Sequence, residues 1–206
     1  MVERVELPTA QGPGRAHIYT GSAPERANVV LSHGAGGGIG ASDLMLLAKS
    51  LPAHGYRVIL LEQPWKVAGR KVAGRPPTLD AAWVPMLAEL ALPGPVVVGG
   101  RSAGARVACR TAYTVGASGV LALSFPLHPP GQPEASRAAE LRAPGEHGIP
   151  VRVIQGARDP FGTPAEVRAE LADPAWVAEA AGTHSFGKTP TDVLDAALAY
   201  LPELIS

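Results

Sequence analysis

Pro95-Val96-Val97-Val98-Gly99-Gly100-Arg101-Ser102-Ala103-Gly104 is the stretch that decides the fold. Three consecutive valines between a proline and glycines read as a short buried strand. From Ala103 the pattern changes to small and apolar residues at Val107, Ala108, Thr111 and Ala112, the spacing of a helix face running to about Thr114. Between the two lies Gly100-x-Ser102-x-Gly104, so the chain must turn from strand to helix within a few residues. Such an elbow strains the backbone at its central serine and exposes the Oγ at a helix N-terminus, where backbone N–H groups and the helix dipole favour an oxyanion. An ordinary strand–helix turn is the bland alternative, because the five-residue pattern is common.

The same alternation repeats on both sides of the elbow. Val2 to Leu7 and Arg15 to Thr20 read as a pair of strands around Gly12-Pro13-Gly14, and Asn28 to Ser32 as a compact buried strand. A helix is expected from Ser42 to His54, a strand from Arg57 to Leu61, and a helix from Leu79 to Leu90. Beyond the elbow come strands at Gly119 to Phe125 and Val151 to Gln155, a helix from Pro164 to Ala172, a short strand from Ala175 to Ala180 and a final helix from Thr191 to about Leu201. Near-continuous Val/Ile/Leu strands alternating with helices predict an α/β fold, a mostly parallel sheet covered on both faces. Ligands of such sheets bind beyond the carboxyl ends of the strands.

Bulk properties bound the rest. A chain of 206 residues fits one domain spanning 1–206 and buries roughly 70% of its unfolded surface without a staple. Lys and Arg number 18, as do Asp and Glu, so the formal charge is zero and no overall field recruits nucleic acid or an anionic membrane. The runs at Val58 to Leu61 and Val96 to Val98 are too short to span a membrane. The single Cys109 excludes an internal disulfide and falls inside the helix after the elbow, where a buried, inert thiol is expected. The N-terminus lacks an apolar signal core, and a cytoplasmic setting is the natural expectation. The six histidines are scattered without metal-ligand spacing, so no metal site is expected.

Three further strand ends carry chemistry. His33-Gly34-Ala35-Gly36-Gly37-Gly38 follows the strand at 28–32, and an H-G-x-G stretch there can supply an oxyanion N–H from Ala35 or Gly36, paired with that of Ala103. Asp159, in Gly156-Ala157-Arg158-Asp159-Pro160-Phe161-Gly162, follows the strand at 151–155 and can orient an imidazole; capping the next helix is its structural alternative. His184, in Gly182-Thr183-His184-Ser185-Phe186, follows the last strand. The order Ser102, Asp159, His184 is that of nucleophile, acid and base in an α/β sheet, each after a different strand. The reading is a serine nucleophile acting on an acyl carbonyl, with no cofactor and a small-molecule substrate. An open, shallow site is expected, with His33, Trp65, Arg101, Leu127, His128 and Phe161 as candidate lining.

The glycine loop also admits a dinucleotide reading, because Gly34, Gly38 and Gly40 follow an apolar strand and Glu62 ends the next, where a ribose-binding acid would stand. Short-chain dehydrogenases pair a Tyr with a Lys four residues on. Here the four tyrosines are followed at that spacing by Ala23, Leu60, Ala117 and Leu204, and this alternative ranks low.

With these motifs assembled, the chain resembles the α/β-hydrolase superfamily over nearly its whole length. More narrowly it is similar to the compact dienelactone-hydrolase-like group, which includes the hydrolase-like domains of a testis-expressed protein and of a chromatin acetyltransferase subunit. The narrower match rests on Gly99 to Gly104, Phe125-Pro126-Leu127-His128-Pro129-Pro130-Gly131 and Gly156 to Gly162. The resemblance implies an eight-stranded α/β-hydrolase fold without a large cap, no cofactor and an ester-like substrate. Some members are interaction modules without turnover, which gives the second reading. Dienelactone hydrolases carry cysteine at the elbow, whereas this chain has Ser102.

Finally, Lys66-Val67-Ala68-Gly69-Arg70 is copied at once as Lys71-Val72-Ala73-Gly74-Arg75. Five residues are too few for a packed repeat. A solvated loop is the plainer reading, and a basic lip for an anionic substrate the sharper one.

Overall fold

The computed structural model describes residues 2–206. Eight strands form one sheet: β1 (Val2–Leu7), β2 (Gly14–Tyr19), β3 (Ala27–Ser32), β4 (Tyr56–Glu62), β5 (Val96–Arg101), β6 (Gly119–Leu123), β7 (Val151–Gly156) and β8 (Val177–Ala180). Their spatial order is β1-β2-β4-β3-β5-β6-β7-β8. β1 pairs antiparallel with β2, and β2 antiparallel with β4, at one edge; the remaining pairings, among β3 to β8, are parallel. The chain leaves β3 for β4 on one side and reaches β5 on the other. The crevice beyond the carboxyl ends of β3 and β5 is therefore the switch point at which open α/β sheets bind ligands.

The helices are α1 (Ser42–Ser50), α2 (Pro64–Val67), α3 (Pro76–Leu90), α4 (Ala103–Thr111), α5 (Ala138–Arg142), α6 (Pro164–Arg168) and α7 (Thr191–Leu204). Because side chains alternate across a strand, Val30, Ile59, Val98, Val120 and Val153 face α3, α4 and α5, where Trp83, Met86, Val107 and Leu141 pack on them. Their neighbours Val29, Leu31, Leu60, Val97, Leu121 and Ile154 face α1 and α7, against Leu44, Leu47, Val193 and Leu201. Two dry layers enclose the sheet, and each fully buried side chain of this size contributes about 1.5–3 kcal/mol. No helix among the described residues is long and apolar enough to cross a membrane.

Departures from the sequence reading lie at element ends. The helix expected from Leu79 starts at Pro76, because proline at the first helical positions has its φ already set. The proline-rich stretch 126–150 contains α5 and a 3₁₀ turn at Gly145–His147. Glu140 of α5 accepts from Arg106 and Arg110 of α4, and Arg110 also holds Asp80 of α3. These tertiary ion pairs select a five-residue helix too short to announce itself by periodicity. Pro174–Trp176 forms a 3₁₀ turn, so the last strand starts at Val177 rather than Ala175. α6 ends at Arg168 instead of Ala172, and α4 at Thr111 instead of Thr114.

Candidate active site

Ser102 has φ 55° and ψ −112°, a left-handed conformation that costs a non-glycine residue about 1–3 kcal/mol. The surrounding packing sets it. A Cβ on Gly100 would stand 2.4 Å from the Ser32 carbonyl oxygen, and one on Gly104 2.6 Å from the same atom. The two elbow glycines thus let the end of β3 press against the turn. The Ser102 N–H is anchored on Leu123 of β6 at 3.0 Å.

From this elbow a chain of hydrogen bonds crosses three strand ends. Ser102 Oγ lies 2.8 Å from His184 Nε2. His184 Nδ1 lies 2.8 Å and 3.1 Å from the two carboxylate oxygens of Asp159. An ionised carboxylate only accepts, so Nδ1 carries the proton, Nε2 is free, and the serine hydroxyl donates to it. Asp159 is 1% exposed. Its Oδ1 also accepts from the Phe161 N–H at 2.9 Å and its Oδ2 from Gln155 Nε2 at 3.0 Å. Phe161 covers His184 from one side, with ring centroids 4.2 Å apart.

The loop after β3 completes the crevice. His33 is buried, with Nδ1 on its neighbour's carbonyl, Gly34 O, at 3.0 Å and Nε2 accepting from the Gln63 N–H at 3.2 Å. Those partners fix a neutral, Nδ1-protonated ring, and burial lowers its pKa from the usual histidine value. With the Gly34 carbonyl held this way, the N–H of the trans peptide linking it to Ala35 points to the opposite side. Ala35 and Ala103 line one small cavity of about 10 Å³, while Gly36 lies outside it.

The other expected lining residues divide. Trp65 is buried edge-on against His33, with centroids 5.3 Å apart, and borders the same cavity. Leu127 is 4% exposed and lies under the turn at Gly162, whose Cβ would meet it at 2.8 Å. His128 turns away: its ring reaches Pro129 O at 2.8 Å and Glu166 at 3.3 Å, and no hydrogen bond or ring contact joins it to Ser102 or His184. Arg101 does more than line a pocket. Its Nη2 donates to the His184 carbonyl at 2.7 Å and to Ser185 Oγ, and its Nε faces the buried Asp43 carboxylate at 3.4 Å. Burial raises the Asp43 pKa, against the opposing charge of Arg101. Ser42, beside Asp43, donates to Gly187 O at 2.7 Å, so α1 and Arg101 together hold the loop that bears His184.

Sequence reasoning missed Asp43, Ser42 and Gln155. Gln155 is fully buried and bonds Phe125 N and O, Gly162 O and Asp159. Its signal was a lone amide closing an apolar strand beside the candidate acid. Asp43 and Ser42 carried none, looking like ordinary residues at a helix start. Among the described residues no group of three or more His, Cys, Asp or Glu could hold a metal ion.

Comparison with known proteins agrees with this architecture. The family described as alpha/beta hydrolase domain matches residues 25–197, and the chain belongs to that family. Among solved structures, a serine hydrolase without a lid from Xanthomonas campestris superimposes with a TM-score of 0.74 at 15% identity, covering 98% of this chain and 95% of that one. A serine hydrolase homologue from Coxiella burnetii gives 0.77 at 14% identity, covering 98% and 97%. A thermophilic esterase from Thermogutta terrifontis gives 0.63 at 17%, covering 99% and 100%. At such identities the likeness establishes the fold. No curated protein matches the sequence. The dinucleotide alternative falls with the family assignment, and the Glu62 carboxylate it needed is engaged by His17 at 3.0 Å and Arg15 at 3.6 Å.

Proposed function

We propose that the protein is a serine hydrolase that cleaves carboxylic esters or related acyl compounds through an acyl-enzyme on Ser102. The observation that carries this reading is the continuous hydrogen-bond chain from Ser102 Oγ through His184 to the buried Asp159. In this mechanism Ser102 attacks the acyl carbonyl as His184 Nε2 takes its proton, and Asp159 stabilises the imidazolium. The tetrahedral oxyanion is held by the N–H groups of Ala35 and Ala103. Collapse expels the alcohol, which receives the proton from His184. Water, deprotonated by the same nitrogen, then attacks the acyl-enzyme and releases the acid. The narrower likeness to dienelactone-hydrolase-like proteins rests on the motifs at 99–104, 125–131 and 156–162; serine rather than cysteine at the elbow favours simple ester or thioester chemistry.

The test is labelling by a fluorophosphonate probe read by intact mass, with wild type beside Ser102→Ala. One adduct on wild type, absent from the variant, supports the reading. A folded wild type that takes no adduct refutes it and favours the non-catalytic binding module.

A further inference from the structure

The tandem pentapeptides have different fates. In the first copy, Pro64 opens α2, and the N–H groups of Ala68, Gly69 and Arg70 close back on Pro64, Lys66 and Trp65, with Gly69 at φ 72°. Lys66 and Arg70 are thereby fixed in a turn. The second copy enters no regular element before Pro76, and its Val72 is 79% exposed. Identical sequence gives two structures because only the first copy begins on the end of β4 and has the buried Trp65 as an anchor.

Lys66 lies across the glycine loop of the site. Its Cε would meet a Cβ on Gly38 at 3.0 Å, its Nζ is 5.9 Å from the Trp65 ring centroid, and its charge is felt at His33. Arg70 borders a hollow of about 270 Å³ with Gln11 and Thr78, and that hollow shares the wall of Gln63, Trp65, Ala73 and Leu79 with the cavity at Ala35 and Ala103. Residues 63–79 contain four cations and no acid. The flanking acids are already engaged, Glu62 by His17 and Arg15 and Asp80 by Arg110. Among the described residues, neither Lys66, Arg70, Lys71 nor Arg75 pairs with a carboxylate. In a chain of zero net charge, unneutralised positive charge is thus concentrated on one rim of the candidate site. Like charges held together repel, and an arriving anion relieves that repulsion.

We infer that the acyl substrate carries an anionic group, a carboxylate or a phosphate, which Lys66 and Arg70 receive at this rim. The inference rests on the hydrolase reading and specifies its substrate class. Lys71 and Arg75, on the open copy, add to the field without contacting the ligand. Exposed ion pairs contribute about 0.2–1 kcal/mol each, so two together near the middle of that range, about 0.5–0.7 kcal/mol each, give roughly a fivefold to tenfold preference.

The experiment compares kcat/KM for 4-nitrophenyl hemisuccinate, its neutral methyl ester and a phosphonate-terminated ester of equal length. Wild type, Lys66→Gln/Arg70→Gln and Lys71→Gln/Arg75→Gln are measured at low and at 0.3 M salt. Wild type is expected to prefer an anionic ester about fivefold to tenfold at low salt, and the preference should shrink with salt. The Lys66/Arg70 variant should lose it through a raised KM for the anionic esters, so that its anionic-to-neutral ratio of kcat/KM falls toward one, whereas the ratio for the Lys71/Arg75 variant should change less than about twofold. Whichever anionic arm shows the larger loss distinguishes carboxylate from phosphate. Equal kcat/KM for neutral and anionic esters in wild type, or a preference unchanged in the Lys66/Arg70 variant, overturns the inference while leaving the hydrolase reading intact. Should wild type neither label at Ser102 nor turn over any ester, the hydrolase reading fails instead. Succinate and inorganic phosphate titrated against Trp fluorescence then decide the anion site: binding weakened in the Lys66/Arg70 variant supports it, and no saturable binding overturns it.

Discussion

Replacing Arg101 by Met removes the side chain that ties the nucleophile's strand to the loop of His184. Two charge-assisted hydrogen bonds go, to the His184 carbonyl and to Ser185 Oγ, each worth up to about 1.5–3 kcal/mol. Asp43, 2% exposed, also loses the guanidinium opposite it. Breaking a well-formed buried pair costs about 3–5 kcal/mol; at 3.4 Å this pair is looser than that, and a net loss of about 2–4 kcal/mol is expected at pH 8. The loss depends on pH in a defined direction. Burial raises the Asp43 pKa in the folded state while the charge of Arg101 opposes the rise. Removing the guanidinium therefore raises it further. The folded variant then binds a proton more tightly than the unfolded chain, so its stability falls as pH rises from the unfolded carboxylate value to the folded one. The deficit should be smaller at pH 5 than at pH 8 by about 1 kcal/mol or more. Urea unfolding of wild type, Arg101→Met, Asp43→Asn and the double variant at both pH values measures this. The double variant should recover part of the stability, because the uncompensated carboxylate is gone, and still label with fluorophosphonate roughly ten- to a hundredfold more slowly, because the His184 loop remains untied. A single variant within about 0.5 kcal/mol of wild type at both pH values would refute the clamp.

Two further outcomes are expected. Gln155→Leu deletes the buried amide that bonds Asp159 Oδ2 and leaves Phe125 N and Gly162 O without their partner; it should cost about 2–4 kcal/mol in urea unfolding and slow labelling of Ser102, and a neutral effect on both would remove Gln155 from the site. Burial pushes the Cys109 thiol up to about 12, so iodoacetamide at pH 8 should leave the native protein unmodified and alkylate it only in denaturant; rapid alkylation of native protein would contradict its placement in the core.

The parallel sheet was legible because its strands are buried on both faces and announce themselves as apolar runs, Val96 to Val98 and Val58 to Leu61 among them. The candidate site was legible because strand ends in such a sheet converge, so that Ser102, Asp159 and His184, distant in sequence, could be placed together by topology alone. Sequence also marked the loop after β3, through His33 and its glycines, as a candidate for the oxyanion site. Only the tertiary structure showed the Gly34 carbonyl held on the ring of His33. It likewise decided the roles of Arg101, Asp43 and Gln155, each of which acts through a partner dozens of residues away or across a turn. Local patterns report how a segment faces the core. The direction in which a buried polar side chain points depends on which segments pack around it, and so Lys66 and Lys71, alike in sequence, came to stand in different places.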